Sequence, residues 1–321
     1  MSLLDLSSWP HYRRIFLSFL CANAWTIILT TIPVVIKIKP NNYYAGHPNW
    51  YTGNDVIRYI EPVGGLPLNF WILLESQIFL RLDKKPLNVF IVFLFMLSAA
   101  VYQQGAGFHS ASNMIKNAIT SALDIHNDDT LQSVYYWVRN VWEHIVSHYM
   151  YAAGLAFMQF TYAFAYKDFA LSSKSLHFTH PKPVAILEMN TAEWFLLFSA
   201  ATVYAFLIAI VAAQFPSGNI VGLIYTIVYG IVFIGGLLYH QCKGTVLLSE
   251  IPIEMSESQR LVEMPENNKL SQRFSVLIQT IKSRPVLLYF FFSYALALVL
   301  ILIWIGINNG LADRNSHNAV V

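Results

Sequence analysis

Three histidines are the residues of this chain whose types and spacing best suit chemistry. His144 and His148 are four residues apart, so on a helix both imidazoles point from one side, a spacing that lets two rings bind one ion. His109 follows the apolar run 87–101 and completes a set of three. Three imidazoles can hold zinc and leave a fourth position for water, whose pKa then falls to about 7. The pattern therefore predicts a Zn²⁺ site that produces a hydroxide nucleophile.

Two polar residues accompany this set. Glu143 precedes His144 directly and is placed to act as a general base or as an alternative ligand. Asn113 follows His109 by four residues and is placed to orient a ligand or the substrate. A histidine network hydrogen-bonded to Glu143, Asn113 and Asn140 without a metal would produce the same sequence pattern, so both interpretations stay open.

The composition indicates a membrane protein. Hydrophobic residues make up 56% of the chain, charged residues make up 12%, and the mean hydropathy is +0.48. The net charge of +2 is too small to indicate nucleic-acid binding, and the bilayer is the partner that this composition predicts. Runs of roughly 20 apolar residues predict one all-α, multi-pass domain over 1–321. Its seven spans are expected near 15–37, 66–81, 87–108, 143–166, 192–214, 219–241 and 285–308.

The distribution of lysine and arginine predicts the orientation. If the N-terminus is cytosolic, most of the 20 lysines and arginines lie on the inner side, so the C-terminus is expected outside. A stripe of apolar residues at helical spacing predicts an amphipathic helix, 268–283, on the anionic inner leaflet. The connecting segments are then an inner tail 1–14, an outer aromatic loop 38–65, an outer polar helix or loop 106–140, an inner loop 242–284 and an outer tail 309–321.

The three histidines are expected at one depth. Counted from Leu87 at about 1.5 Å per residue, His109 lies roughly 33 Å towards the outside. Counted from Lys167 in the same way, His148 and His144 lie roughly 28 and 35 Å outward. Two unrelated segments thus predict one site at the outer boundary of the hydrocarbon core.

Glu75 is another ionisable residue that lies inside an apolar segment, where a charge is costly. It lies about 9 Å above the inner boundary, counted by the helical rise from Arg81. A carboxylate at that depth has to face the bundle, either protonated or paired. Together with Gln77 and Gln104 it predicts a polar path, although a neutral acid that bridges two helices fits the sequence equally well.

The histidine segments also resemble a known group of enzymes. The stretch Gly105–His109, with sequence GAGFH, and the pair His144 and His148 are similar to pieces shared by the CREST superfamily. These seven-span membrane proteins include alkaline ceramidases, adiponectin-type receptors and GPI-remodelling lipases. The resemblance implies a three-histidine zinc site that activates water against a lipid amide or ester. That family carries its histidine pair in the last span, whereas here the pair lies in the fourth.

Three functions remain open from the sequence. The leading hypothesis is a zinc-dependent hydrolase that acts on a lipid or an amphipathic amide or ester at the outer or lumenal face. The second is a transporter or channel with a polar path around Glu75. The third is a non-catalytic receptor or assembly subunit whose histidines are structural or sense pH.

Overall fold

The computed structural model describes residues 11–35, 53–122, 127–167, 189–215, 217–240 and 284–311. Within these ranges the chain is helical and has no strand. The first helices are α1 (His11–Val35), α2 (Gly53–Glu75), a short 3₁₀ helix (Ile78–Arg81) and α3 (Pro86–Ala122). They are followed by α4 (Asp129–Trp137), which continues as a π-helix (Val138–Ser147) and then as α5 (His148–Lys167). The last helices are α6 (Thr191–Gln214), α7 (Gly218–Ile224), a second π-helix (Tyr225–Ile234) and α8 (Pro285–Ile307).

Four of these segments are long and apolar enough to cross a membrane. They are Pro86–Thr120, Thr191–Gln214, Gly218–His240 and Pro285–Ile307. The other long helices, α1, α2 and α5, lie where three further spans were expected, but they carry more polar side chains. The fold is therefore an all-helical membrane-protein fold, as predicted, with four clear spanning helices in the described part.

The second expected segment differs most from the structure. The sequence places a span at 66–81 and a loop before it, whereas α2 begins at Gly53 and ends at Glu75. Pro62 and Pro67 lie inside the helix, and neighbouring side chains donate hydrogen bonds to its carbonyls. The predicted amphipathic helix 268–283, most of the loop 242–284 and all but the first three residues of the tail 309–321 lie outside the described residues.

The helices of the bundle pack around a core rich in aromatic residues. α1 packs between α2 and α6, α6 also packs on α8, and α3 packs on both α2 and α5. Several tyrosine hydroxyls in this core have hydrogen-bond partners, because an apolar interior cannot solvate them. Tyr162 donates to Asn69, Tyr166 donates to the Ile72 carbonyl, and Tyr289 accepts from Asn23. These bonds attach α2 to α5 and α1 to α8.

Two glycines bring α3 and α5 into close contact. A Cβ atom on Gly105 would lie 2.4 Å from the backbone nitrogen of Tyr151, and a Cβ atom on Gly154 would lie 2.4 Å from that of Tyr102. Glycine at both positions therefore allows the two backbones to touch, as small residues do at helix contacts in membranes. This contact lies one to two helical turns from His109 and His148, so it fixes the separation of the helices that carry them.

Candidate functional site

The structure brings the three predicted histidines together. The ring centroids of His109 and His148 are 5.0 Å apart, and those of His144 and His148 are 5.7 Å apart. The ring planes are close to parallel, at 18° and 25°, so the imidazoles are stacked. Phe215, at the junction of α6 and α7, continues the stack on His148 at 4.5 Å. We call these four rings the imidazole stack.

An ion pair adjoins the imidazole stack. Lys116 Nζ of α3 donates to Glu143 Oε1 of the π-helix at 2.8 Å. Glu143 is buried, and its second carboxylate oxygen has no hydrogen-bond partner among the described residues. A buried carboxylate needs its counter-ion, because an uncompensated charge in an apolar interior is costly. The pair therefore ties the C-terminal part of α3 to the helix that presents His144.

Asn113 has a partner on a third helix. Its side-chain amide donates to the carboxylate of Asp55 on α2, and both residues are buried. This contact joins α2 to the group that the sequence predicted from α3 and α5 alone. The predicted residues Asn113, Glu143, His109, His144 and His148 thus lie in one region between α2, α3 and the π-helix.

A π-helix presents two of these residues. Val138–Ser147 forms the wider π turn and returns to α-helix at His148. π-helical turns are rare, and they occur often at functional sites. Ser147 donates its hydroxyl to the Glu143 carbonyl, so a side chain satisfies part of the widened turn. Glu143 and His144 accordingly follow the geometry of this π-helix and not that of a regular α-helix.

Carboxylates and cations both lie on the helices around the site. Asp55 and Glu143 are buried, and Lys116 is the cation paired with Glu143. Arg139, half-buried one turn before Glu143, is a further cation on the π-helix. An ionised carboxylate favours the uptake of a proton by a neighbouring imidazole, and a cation opposes it.

A zinc site would need the nitrogen lone pairs of the three imidazoles, which lie in the planes of the rings, to converge on one point. No group of three or more His, Cys, Asp or Glu side chains in the described parts of the chain is arranged to hold a metal ion. The zinc site at His109, His144 and His148 therefore stays a prediction.

Glu75 lies far from the stack, in a group of its own. Its carboxylate is 3.4 Å from both Arg14 and His11 of α1, and it accepts a hydrogen bond from Trp71 at 3.0 Å. Burial lowers the pKa of His11, and the Glu75 charge opposes that shift. These contacts join α1 to α2 near the predicted inner end.

The two glutamines of the predicted polar path lie apart from this group. Gln77 is exposed and has a positive φ of 56° at the end of α2, and Gln104 is exposed on α3. Because both glutamines are exposed, neither lines a buried path with Glu75.

A further buried carboxylate, Glu61, was missed by the sequence reasoning. Glu61 Oε1 accepts hydrogen bonds from Tyr102 at 2.6 Å, Tyr151 at 2.9 Å and Thr26 at 3.2 Å. Gly65, one turn later, leaves room for them, since a Cβ atom there would lie 2.6 Å from the Tyr102 hydroxyl. We call Glu61 with its three donors the hydroxyl cage. The signal in the sequence was an acidic residue followed by a run of proline and glycine.

No protein-family model, no curated protein and no solved structure matches the chain. Function has to be argued from the site itself.

Proposed function

We propose that this chain is a proton-responsive membrane protein, a receptor or assembly subunit in which the imidazole stack is the proton-binding element. The observation that carries this proposal is the close, near-parallel packing of three imidazoles, with Phe215 against His148, beside the buried carboxylates of Asp55 and Glu143. Histidine is the side chain whose charge changes between about pH 5 and 8. Protonation of these rings would therefore act directly on a contact between α3, α5 and the α6–α7 junction.

The charge on the rings decides whether the stack holds. Neutral imidazoles can stack as other aromatic rings do. Two charged rings 5.0 Å apart would repel by about 3 kcal/mol at an effective dielectric constant of about 20. The carboxylates of Asp55 and Glu143 favour a first proton, and Lys116 and Arg139 oppose it. A second proton would separate the rings and move α3 away from the α6–α7 junction.

The proposal also covers the number of membrane spans and their orientation. Four helices meet the length and hydropathy of a span, and α1, α2 and α5 supply three further helices of at least 20 residues. Seven spans with a cytosolic N-terminus would place the imidazole stack near the outer or lumenal boundary. The bias of lysine and arginine towards the inner segments supports this orientation.

Acidification is expected to lengthen the distance between α3 and α7. Spin labels on Gly107→Cys and Ile220→Cys, in a Cys21→Ser/Cys242→Ser background, report that distance by pulsed electron resonance. Both positions are exposed, and a Cβ atom on Gly107 meets nothing within 4 Å. From about pH 8 to about pH 5, the distribution should shift to longer distances as the stack acquires a second charge.

The matched control is His148→Phe, which keeps an aromatic ring in the stack and removes its charge. It should abolish the shift. A local distance is the appropriate measurement, because His11 is also acid-sensitive. Its folded-state pKa lies below the usual value, so its contribution to stability is lost as pH falls below about 6.5 and towards that lowered pKa. Identical distributions at both pH values, or a shift that persists in His148→Phe, would contradict the proposal.

A zinc-dependent hydrolase is the second candidate. The observation in its favour is that the rings of His109 and His144, from two separate helices, lie 5.0 and 5.7 Å from that of His148, and that Glu143 beside them is buried. His109, His144 and His148 would be the metal ligands, Glu143 the base or a further ligand, and Asn113 a substrate contact. This candidate, to which the CREST resemblance belongs, requires the rings to turn until their nitrogens converge.

Metal content separates the two candidates. For the purified wild type, handled without chelators, the proton-responsive proposal predicts the same zinc content as for His144→Ala/His148→Ala. Mass spectrometry of both preparations gives the answer. About one zinc per chain that is lost in the double variant would instead establish the hydrolase site and overturn the leading proposal.

A further inference from the structure

The hydroxyl cage lies at the depth of the hydrocarbon core. Tyr102 belongs to the spanning part of α3, and counted from Leu87 at about 1.5 Å per residue it lies roughly 22 Å into that span. Counted in the same way from Lys167, Tyr151 of α5 lies roughly 24 Å inward from its end of the helix. The core is about 30 Å thick. Both counts therefore place Glu61, which accepts hydrogen bonds from the two tyrosines, inside the core.

The Glu61 carboxyl has no counter-ion among the described residues. Glu61 is 3% exposed, and the partners of its side chain are three neutral hydroxyl groups. Two other glutamates of the bundle differ in this respect, because Glu143 is paired with Lys116 and Glu75 with Arg14. A buried carboxylate without a cation is costly in an apolar interior, so such a group takes up a proton instead.

The hydrogen bonds of the cage also suit a neutral acid. All three hydroxyls donate to the same oxygen, Oε1, which leaves Oε2 as the oxygen that can carry a proton. Hydroxyl groups solvate a neutral carboxylic acid through ordinary hydrogen bonds, but they bring no net charge that could balance a carboxylate. The cage therefore satisfies the polarity of Glu61 without balancing its charge.

We propose that Glu61 is a proton-binding site inside the membrane, occupied by a proton in the folded protein. The bound proton takes the place of a counter-ion, and the neutral acid keeps α1, α3 and α5 attached to α2. Loss of the proton would create a charge that only water or a cation entering the cage could balance. The inference rests on the membrane spans given under the proposed function, and it does not depend on the response of the imidazole stack to pH.

Infrared spectroscopy of the purified protein tests whether Glu61 carries a proton. A neutral carboxylic acid has a carbonyl stretching band at higher frequency than amides and carboxylates, and glutamates in water are ionised at about pH 8 and do not contribute to it. The wild type should show such a band at this pH, and Glu61→Gln should lose it. Glu75→Gln is the matched control, because it removes a carboxylate that has a counter-ion, and it should keep the band.

Removal of two donors identifies the band as that of the cage. In Tyr102→Phe/Tyr151→Phe the acid is still present, but its carbonyl oxygen accepts fewer hydrogen bonds. The band should therefore persist and move to higher frequency. This variant leaves Glu61 unchanged, so it tests the inference independently of how well Glu61→Gln folds.

The pH dependence of unfolding in detergent gives a second measurement. The folded protein holds a proton that the unfolded chain releases, so a rise in pH favours unfolding. Between about pH 6 and about pH 8, the equilibrium constant of unfolding of the wild type should rise about tenfold per pH unit relative to that of Glu61→Gln.

Two results would overturn the inference. A spectrum at about pH 8 from which Glu61→Gln removes no acid band would show that Glu61 is ionised and needs a cation in the cage. A ratio of the two unfolding constants that does not change with pH would show that no proton is released there. The distance between Gly107→Cys and Ile220→Cys tests the imidazole stack by itself. Failure of this inference is therefore distinguishable from failure of the proton-responsive proposal.

Discussion

Replacing Lys116 by methionine should lower the free energy of unfolding by about 3 kcal/mol. The lysine is the ion-pair partner of a buried carboxylate, Glu143, whose other oxygen already has no partner among the described residues. Methionine keeps the length and apolar character of the side chain but leaves the carboxylate uncompensated. Denaturant or thermal unfolding in detergent measures the change.

The double variant Lys116→Met/Glu143→Gln makes this test specific. Removal of both charges should recover most of the lost stability, because the cost lies in the unpaired charge and not in the lost contact. Lys84→Met is the matched control, since Lys84 is exposed in the turn before α3 and its replacement should change stability by less than about 0.5 kcal/mol. A double variant as unstable as Lys116→Met would show that packing, not charge, explains the loss.

How far the sequence predicts the helices depends on how uniformly apolar they are. The expected segments 192–214, 219–241 and 285–308 agree with the structure within one residue at each end. These segments contain few charges, so the run of apolar residues and the helix coincide. For α2 they do not coincide. Asp55, Glu61 and two prolines lie inside that helix, and the side chains from α1, α3 and α5 that stabilise it are distant in sequence.

The sequence predicts that the three histidines meet, because they lie at the same depth, but it does not predict how their rings are oriented. Counting the helical rise from two separate helix ends predicts one level for His109, His144 and His148, and the structure brings these residues together. The stacking depends on Phe215 and on the close approach of α3 and α5 at Gly105. Neither of these contacts can be read from the local sequence of the histidine segments. The partners Lys116 and Asp55 were missed for the same reason.

Replacing Glu61 by leucine should also have a large effect, about 3 kcal/mol or more, because three buried hydroxyls would lose their acceptor at about 1–3 kcal/mol each. Tyr102, Tyr151 and Thr26 come from α3, α5 and α1, so the hydroxyl cage joins three helices to α2. Glu61→Gln keeps an acceptor oxygen in the same place and should cost only about 1 kcal/mol. Unfolding of both variants in detergent measures the difference.

Removal of the donors provides the decisive control for the hydroxyl cage. In a Tyr102→Phe/Tyr151→Phe background, two of the three hydroxyls no longer need an acceptor, so Glu61→Leu should cost far less than it does in the wild type. Such non-additivity is the signature of a shared hydrogen-bond network. Equal costs in both backgrounds would mean that Glu61 acts through its size.

Because Tyr151 lies one turn after His148 on α5, the cage also fixes the height of the imidazole stack. Glu61→Leu should therefore broaden the distance distribution between Gly107→Cys and Ile220→Cys even at neutral pH, whereas Glu61→Gln should leave it unchanged.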